Sequence, residues 1–217
     1  MPSLSRFFRE SSLIRVVGGF ALAALGLGAL GWLVTGPFRD YPLGFDNSIR
    51  TAIRQMRSPM WASLFLAFTK LGSTIYLAIV GCAAGIIFIF MRWFRPLLLL
   101  IFVMSGQAAL HYGFKWLIAR PRPPALINYP TTESFSYPSG HAIASLCLYF
   151  TIAWVVSSQI ENSAVKAILF ISTAVLVFLV GMSRVYIGIH YPTDVIAGFL
   201  AAIIWTTAVL SIERKPI

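Results

Sequence analysis

Apolar and polar positions fall in long blocks along this chain, rather than alternating at the period of a soluble helix or strand. Six stretches stay apolar for about the 20 residues a helix needs to cross a bilayer: 13–35, 72–91, 96–119, 139–158, 164–183 and 192–211. The run 60–90 would make a single helix about 46 Å long, against a hydrocarbon core of about 30 Å. A break is therefore expected near Lys70 and Gly72, leaving 60–70 as a short interfacial or re-entrant helix. The segment 39–58 carries Arg39, Asp40, Asp46, Arg50, Arg54 and Arg57. It reads as an aqueous connection, part of it suited to lie on the surface as an amphipathic helix. Pro121, Pro123, Pro124, Pro130 and Pro138 exclude a regular helix over 120–138 and favour a stiff, extended connection.

Composition agrees. Of 217 residues, 58% are hydrophobic and 11% charged, where a soluble domain carries about 25% charged residues. The expected fold is all-α: an integral membrane bundle of six transmembrane helices forming one domain over 1–217. Arg6, Arg9 and Arg15 precede the first apolar stretch as they would a signal sequence, but the run exceeds a usual signal core and is expected to be a retained span. The net charge of +10 would suggest nucleic acid in a soluble protein. Here it points to membrane topology or an anionic substrate, with no nucleic-acid partner expected. Cys82 and Cys147 lie in apolar runs, so neither a disulfide framework nor a cysteine metal site follows.

Six spans place both ends of the chain on one side, with Arg6, Arg9, Arg15, Arg92, Arg95, Lys166, Arg214 and Lys215. The other side receives Arg39, Arg50, Arg54, Arg57, Lys115, Arg120, Arg122 and Arg184, with Lys70 unassigned. The positive-inside comparison is a tie unless some of these charges serve chemistry.

The polar residues at span ends indicate that they do. Lys115 and Arg122 close the third span, Ser139 and His141 open the fourth, Arg184 closes the fifth, and His190 and Asp194 open the sixth. Parity brings all four ends to one face. Cations neutralise a phosphate, and an Arg fork holds two of its oxygens. Ser139 suits an N-cap, with or without a further role, and Gly140 lets the first amides of a helix approach an anion. His190 and Asp194 are four apart, as on one helix face, so the carboxylate can orient an imidazole that attacks through its other nitrogen. Pro192 fits a helix start. Seven acidic residues in the whole chain are few for a two-metal phosphatase. His111 reads as a structural bundle residue, and Lys70 as either an interfacial or a site residue.

Three blocks carry a family resemblance: Lys115, six residues, then Arg122-Pro123; Pro138-Ser139-Gly140-His141; and Ser183-Arg184, five residues, His190, three residues, Asp194. Together they resemble the tripartite signature of the type 2 phosphatidic acid phosphatase family. The resemblance implies that His190 forms a phosphohistidine, that Asp194 orients it and that His141 protonates the leaving oxygen. It further implies that Lys115, Arg122, Ser139, Gly140 and Arg184 bind phosphate, with no metal or cofactor. An extracytoplasmic active site, cytoplasmic termini and a cell-membrane location follow from the same resemblance. The expected activity is removal of a terminal phosphate from a membrane lipid, without an obligatory protein partner. Phosphatidylglycerophosphate is the expected substrate and undecaprenyl diphosphate the alternative. A phosphate-anion transporter is the competing class; it would place charges near mid-membrane or in broken helix pairs of related halves. Soluble vanadate haloperoxidases share the signature but not this hydropathy.

Overall fold

The computed structural model describes residues 10–37, 39–127, 129 and 134–212. Arg6, Arg9, Pro130, Glu133, Arg214 and Lys215 lie outside them. Among the described residues all regular structure is helical: α1 Glu10–Thr35, α2 Asp40–Gln55, α3 Pro59–Leu71, α4 Thr74–Phe90, α5 Phe94–Ile118, α6 Gly140–Ser157, α7 Ser163–Ile187 and α8 Pro192–Leu210. In a bilayer the backbone must satisfy its own hydrogen bonds, which is why apolar blocks of this length become helices.

Helices α1, α5, α6, α7 and α8 are each long and apolar enough to span. The pair α3 and α4, bent by 48° at the break between them, is long and apolar enough only when taken together, which makes five spans, or six with the bent pair counted as one. The break falls where the sequence places it, at Gly72 and Ser73, because Ser73 accepts from the Tyr76 amide and starts α4 afresh. Ser58 caps α3 in the same way with Pro59 at its first position, and Asn162 caps α7 through the amides of Ala164 and Val165. Leu22, Leu25, Ile168, Ile171, Val175 and Phe178 are exposed on α1 and α7, as helix faces that meet lipid tails require.

Two expectations are corrected. Helix α7 continues to Ile187, not 183, and stops at Gly188, whose φ of 92° is left-handed; a Cβ there would collide with the Leu126 backbone. The segment 39–58 is mostly helix, and its charges are not all in water. Asp46 and Arg50 are buried, because α2 packs against α7 and α8 with these two side chains facing the bundle.

Buried aliphatic and aromatic residues of α1, α5, α6 and α8 form the main core, including Leu27, Leu99, Val103, Ile143, Ala202 and Trp205. Tyr137, fully buried, donates its hydroxyl to the Leu27 carbonyl at 2.7 Å. That bond ties the long loop after α5 to the middle of α1.

Candidate active site

The ends of α5, α6, α7 and α8 meet at one end of the bundle. His190 lies between α7 and α8, in the short connection that Gly188 turns. It therefore does not share a helix face with Asp194, as the four-residue spacing suggested. The two meet because Asp194, in the first turn of α8, folds back: its Oδ2 accepts from the Tyr191 amide at 2.9 Å and lies 3.5 Å from His190 Nδ1. On the other edge of the ring, Arg122 Nη1 is 3.1 Å from His190 Nε2. A guanidinium only donates, so Nε2 is the acceptor and the proton sits on Nδ1, which faces the carboxylate but makes no hydrogen bond to it at that distance. His190 is 2% exposed. Burial, reinforced by the charges of Arg184, Arg122 and Lys115, pushes its pKa well below the ordinary 6.5. The result is a neutral imidazole whose lone pair points at the Arg122 guanidinium.

Of the other residues expected at the site, Lys115, Arg122, Gly140, His141 and Arg184 line one cavity of about 740 Å³ together with His190, whereas Ser139 and Asp194 lie behind its wall and do not line it. Arg122 is held in place by Nε donating to the Ser134 carbonyl at 2.7 Å, Nη2 to the Ser134 hydroxyl at 3.0 Å and Nη1 to the Ile189 carbonyl at 2.9 Å. Lys115 donates to the Phe135 carbonyl at 2.7 Å. Arg184 hydrogen-bonds Thr69 Oγ1 of α3, while its Nε is buried without a partner. Ser139 occupies the N-cap position of α6, but its hydroxyl does not cap the helix; it is buried without a partner, and its amide donates to the Asp194 carbonyl at 3.0 Å. At Gly140 a Cβ would stand 2.8 Å from the His111 ring. The glycine is required by that close approach as much as by any anion.

Several residues were not legible as functional. Arg120 bridges two carboxylates, Nη1 to Asp194 Oδ1 at 2.7 Å and Nη2 to Asp46 Oδ2 at 2.8 Å. Asp46 in turn accepts from the Thr193 amide at 2.9 Å and the Thr193 hydroxyl at 2.7 Å. The Arg120 guanidinium lies 3.9 Å from the centre of the Tyr191 ring. Arg50 donates to the carbonyls of Gly188 at 2.9 Å and Pro124 at 2.8 Å. Helix α2 thus fastens both loops of the site. Burial was the missing signal: a charge in a connecting segment looks solvated until its partner is known. His111, expected to be structural, lines the cavity, and Lys70 is exposed at the end of α3. Among the described residues no three His, Cys, Asp or Glu side chains group as a metal-ligand set.

A family model for the PAP2 superfamily matches residues 96–216. Phosphatidylglycerophosphatase B of Bacillus subtilis is 33% identical over 175 residues, covering 78% of this chain and 84% of the relative. An undecaprenyl-diphosphatase of Sulfolobus acidocaldarius is 37% identical over 91 residues, 40% of each chain. The crystal structure of a transmembrane PAP2-type phosphatidylglycerolphosphate phosphatase from Bacillus subtilis superposes with a TM-score of 0.74 at 27% identity, covering 90% of this chain and 94% of that one. With the signature residues gathered at one end of a helical membrane bundle, the chain belongs to the PAP2 superfamily and is a membrane phosphatase, a hydrolase of phosphate monoesters.

Proposed function

We propose that this enzyme removes the terminal phosphate of phosphatidylglycerophosphate through a phosphohistidine on His190. The observation that carries the mechanism is the His190 ring held between Asp194 and Arg122. Lys115, Arg122 and Arg184, with the first amides of α6, hold the phosphate oxygens. His190 Nε2 attacks phosphorus as the phosphorus–oxygen ester bond breaks, and His141 gives its proton to the departing alkoxide. Asp194 stabilises the positive charge that develops on the ring. Water then attacks the phosphohistidine, His141 takes the proton from that water, and inorganic phosphate leaves. The positive charge is covalently built in, so no metal is required in this scheme.

The cavity supports a lipid substrate. Beyond its polar end it continues between α4, α5 and α6 along Leu77, Gly81, Leu97, Leu100, Met104 and Leu148. Acyl chains lying there stay in an apolar medium, where full extraction would cost about 0.8 kcal/mol per CH₂. The matches to phosphatidylglycerophosphate phosphatases extend along most of both chains. The undecaprenyl-diphosphatase match, at 40% of each chain, favours a diphosphate substrate less. An extracytoplasmic site with cytoplasmic termini fits the charges. Once Lys115, Arg122 and Arg184 bind phosphate, and Arg50 and Arg120 are buried in bonds, Arg39, Arg54 and Arg57 remain on the site's side, with Lys70 at the end of α3.

The test is release of phosphate by purified enzyme from phosphatidylglycerophosphate, phosphatidic acid and undecaprenyl diphosphate in EDTA. The highest kcat/KM is expected with phosphatidylglycerophosphate and survives chelation. A tenfold preference for the diphosphate would overturn the substrate assignment. Loss in EDTA restored by Mg²⁺ would overturn the metal-free scheme.

A further inference from the structure

Two polar side chains in the cavity wall take no part in the phosphate site. Gln107 and His111 share one stripe of α5 with Lys115 at four-residue spacing, so they lie about 6 Å (His111) and about 12 Å (Gln107) along the helix from Lys115, toward the membrane interior. Both line the cavity that contains Lys115, Arg122 and His190. Gln107 is 8% exposed, and its Oε1, like His111 Nε2, is buried without a hydrogen-bond partner. The neighbouring lining residues at that depth, Leu100, Met104 and Leu148, offer no partner either. An unpaired buried amide destabilises a fold, and a polar residue inside a membrane span marks a functional path.

We infer that Gln107 and His111 form a second subsite that binds the polar backbone of the lipid below its terminal phosphate. This rests on the reading of the cavity as a lipid-phosphate site. The imidazole offers one donor and one acceptor, and the amide offers both in one group. A lipid whose phosphate is cradled at Lys115 meets this subsite only if its polar portion continues for two further helical turns. Phosphatidylglycerophosphate does so: a glycerol hydroxyl and phosphodiester oxygens lie one turn down, at His111, and ester carbonyls beyond them, at Gln107. Phosphatidic acid brings its ester carbonyls only to the first turn, leaving hydrocarbon against Gln107. Undecaprenyl diphosphate is hydrocarbon below its second phosphate. The subsite thus selects by the depth of the polar backbone, a property the phosphate cradle cannot sense.

The experiment compares wild type with Gln107→Met, His111→Phe and His111→Gln on phosphatidylglycerophosphate, phosphatidic acid, undecaprenyl diphosphate and p-nitrophenyl phosphate. His111→Phe keeps a flat ring against Gly140, and His111→Gln keeps hydrogen-bonding capacity. Gln107→Met is expected to lose about five- to tenfold more kcat/KM on phosphatidylglycerophosphate than on the other three substrates, chiefly through KM. His111→Phe should lose more than His111→Gln on both diacyl lipids. Equal loss on all four substrates, or equal behaviour of the two His111 variants, would overturn the subsite while leaving the phosphatase reading intact. A wild-type enzyme inactive on phosphatidylglycerophosphate would instead overturn the substrate reading, and the subsite with it.

Discussion

Helix α6 walls two clefts of similar size, and only one of them is equipped for chemistry. Through Gly140, His141, Ala144 and Leu148 it borders the 740 Å³ cavity that holds the cations and histidines. Through Leu146, Phe150 and Trp154 it borders a groove of about 540 Å³ against Phe170 and Val177 of α7 and Phe199 and Ile203 of α8. The groove is lined almost wholly by carbon; its Thr206 hydroxyl is already bonded to Cys147. The cavity is lined by polar atoms that lack partners, among them Arg184 Nε, His111 Nε2 and Gln107 Oε1. Volume does not separate the two. What separates them is polar groups desolvated without compensation, a cost that a ligand carrying matching groups can relieve.

The largest expected effect breaks the cavity side of this comparison. His190→Ala should lower kcat by about 10⁴-fold or more, measured as phosphate release, since the proposed scheme has no other nucleophile. Arg120→Gln should come next. It leaves Asp46 and Asp194 buried as neighbouring uncompensated charges, at about 3–5 kcal/mol, so the melting temperature and kcat should fall together. A variant that melts like wild type yet is inactive would move Arg120 from support to chemistry. Gly140→Ala should be milder. The added methyl drives against the His111 ring and costs about 1–3 kcal/mol of strain, and a drop in kcat/KM near tenfold is expected. If His111→Ala in the Gly140→Ala background does not restore activity on p-nitrophenyl phosphate, which does not reach the His111 subsite, the contact is not the cause. The smallest effect belongs to the groove. Phe170→Ala should leave kcat/KM within about twofold while lowering thermal stability, the outcome of trimming a packing residue.

Hydropathy located these helices well because a bilayer leaves the backbone few alternatives. The break before α4 and the start of α8 at Pro192 were both readable from local residues. The convergence of Lys115, Arg122, His141, Arg184 and His190 was also readable, since each sits at a span end and parity does the rest. The supports were not. Asp46, Arg50 and Arg120 find partners as many as 147 residues away, and nothing in a charged connecting segment distinguishes a buried bridge from a solvated face. The spacing puts His190 on a helix it only precedes, because four residues fit both a helical face and a turn that feeds a capped helix. Gln107 is masked by its apolar neighbours, although a lone amide within a span is itself a signal.

In the proposed scheme His190 carries the phosphoryl group. Enzyme mixed with radiolabelled lipid phosphate and quenched within one turnover should yield a phosphoprotein that survives base and is lost in acid, present in wild type and absent from His190→Ala. An acid-stable adduct, or one that persists in the His190→Ala protein, would contradict the account.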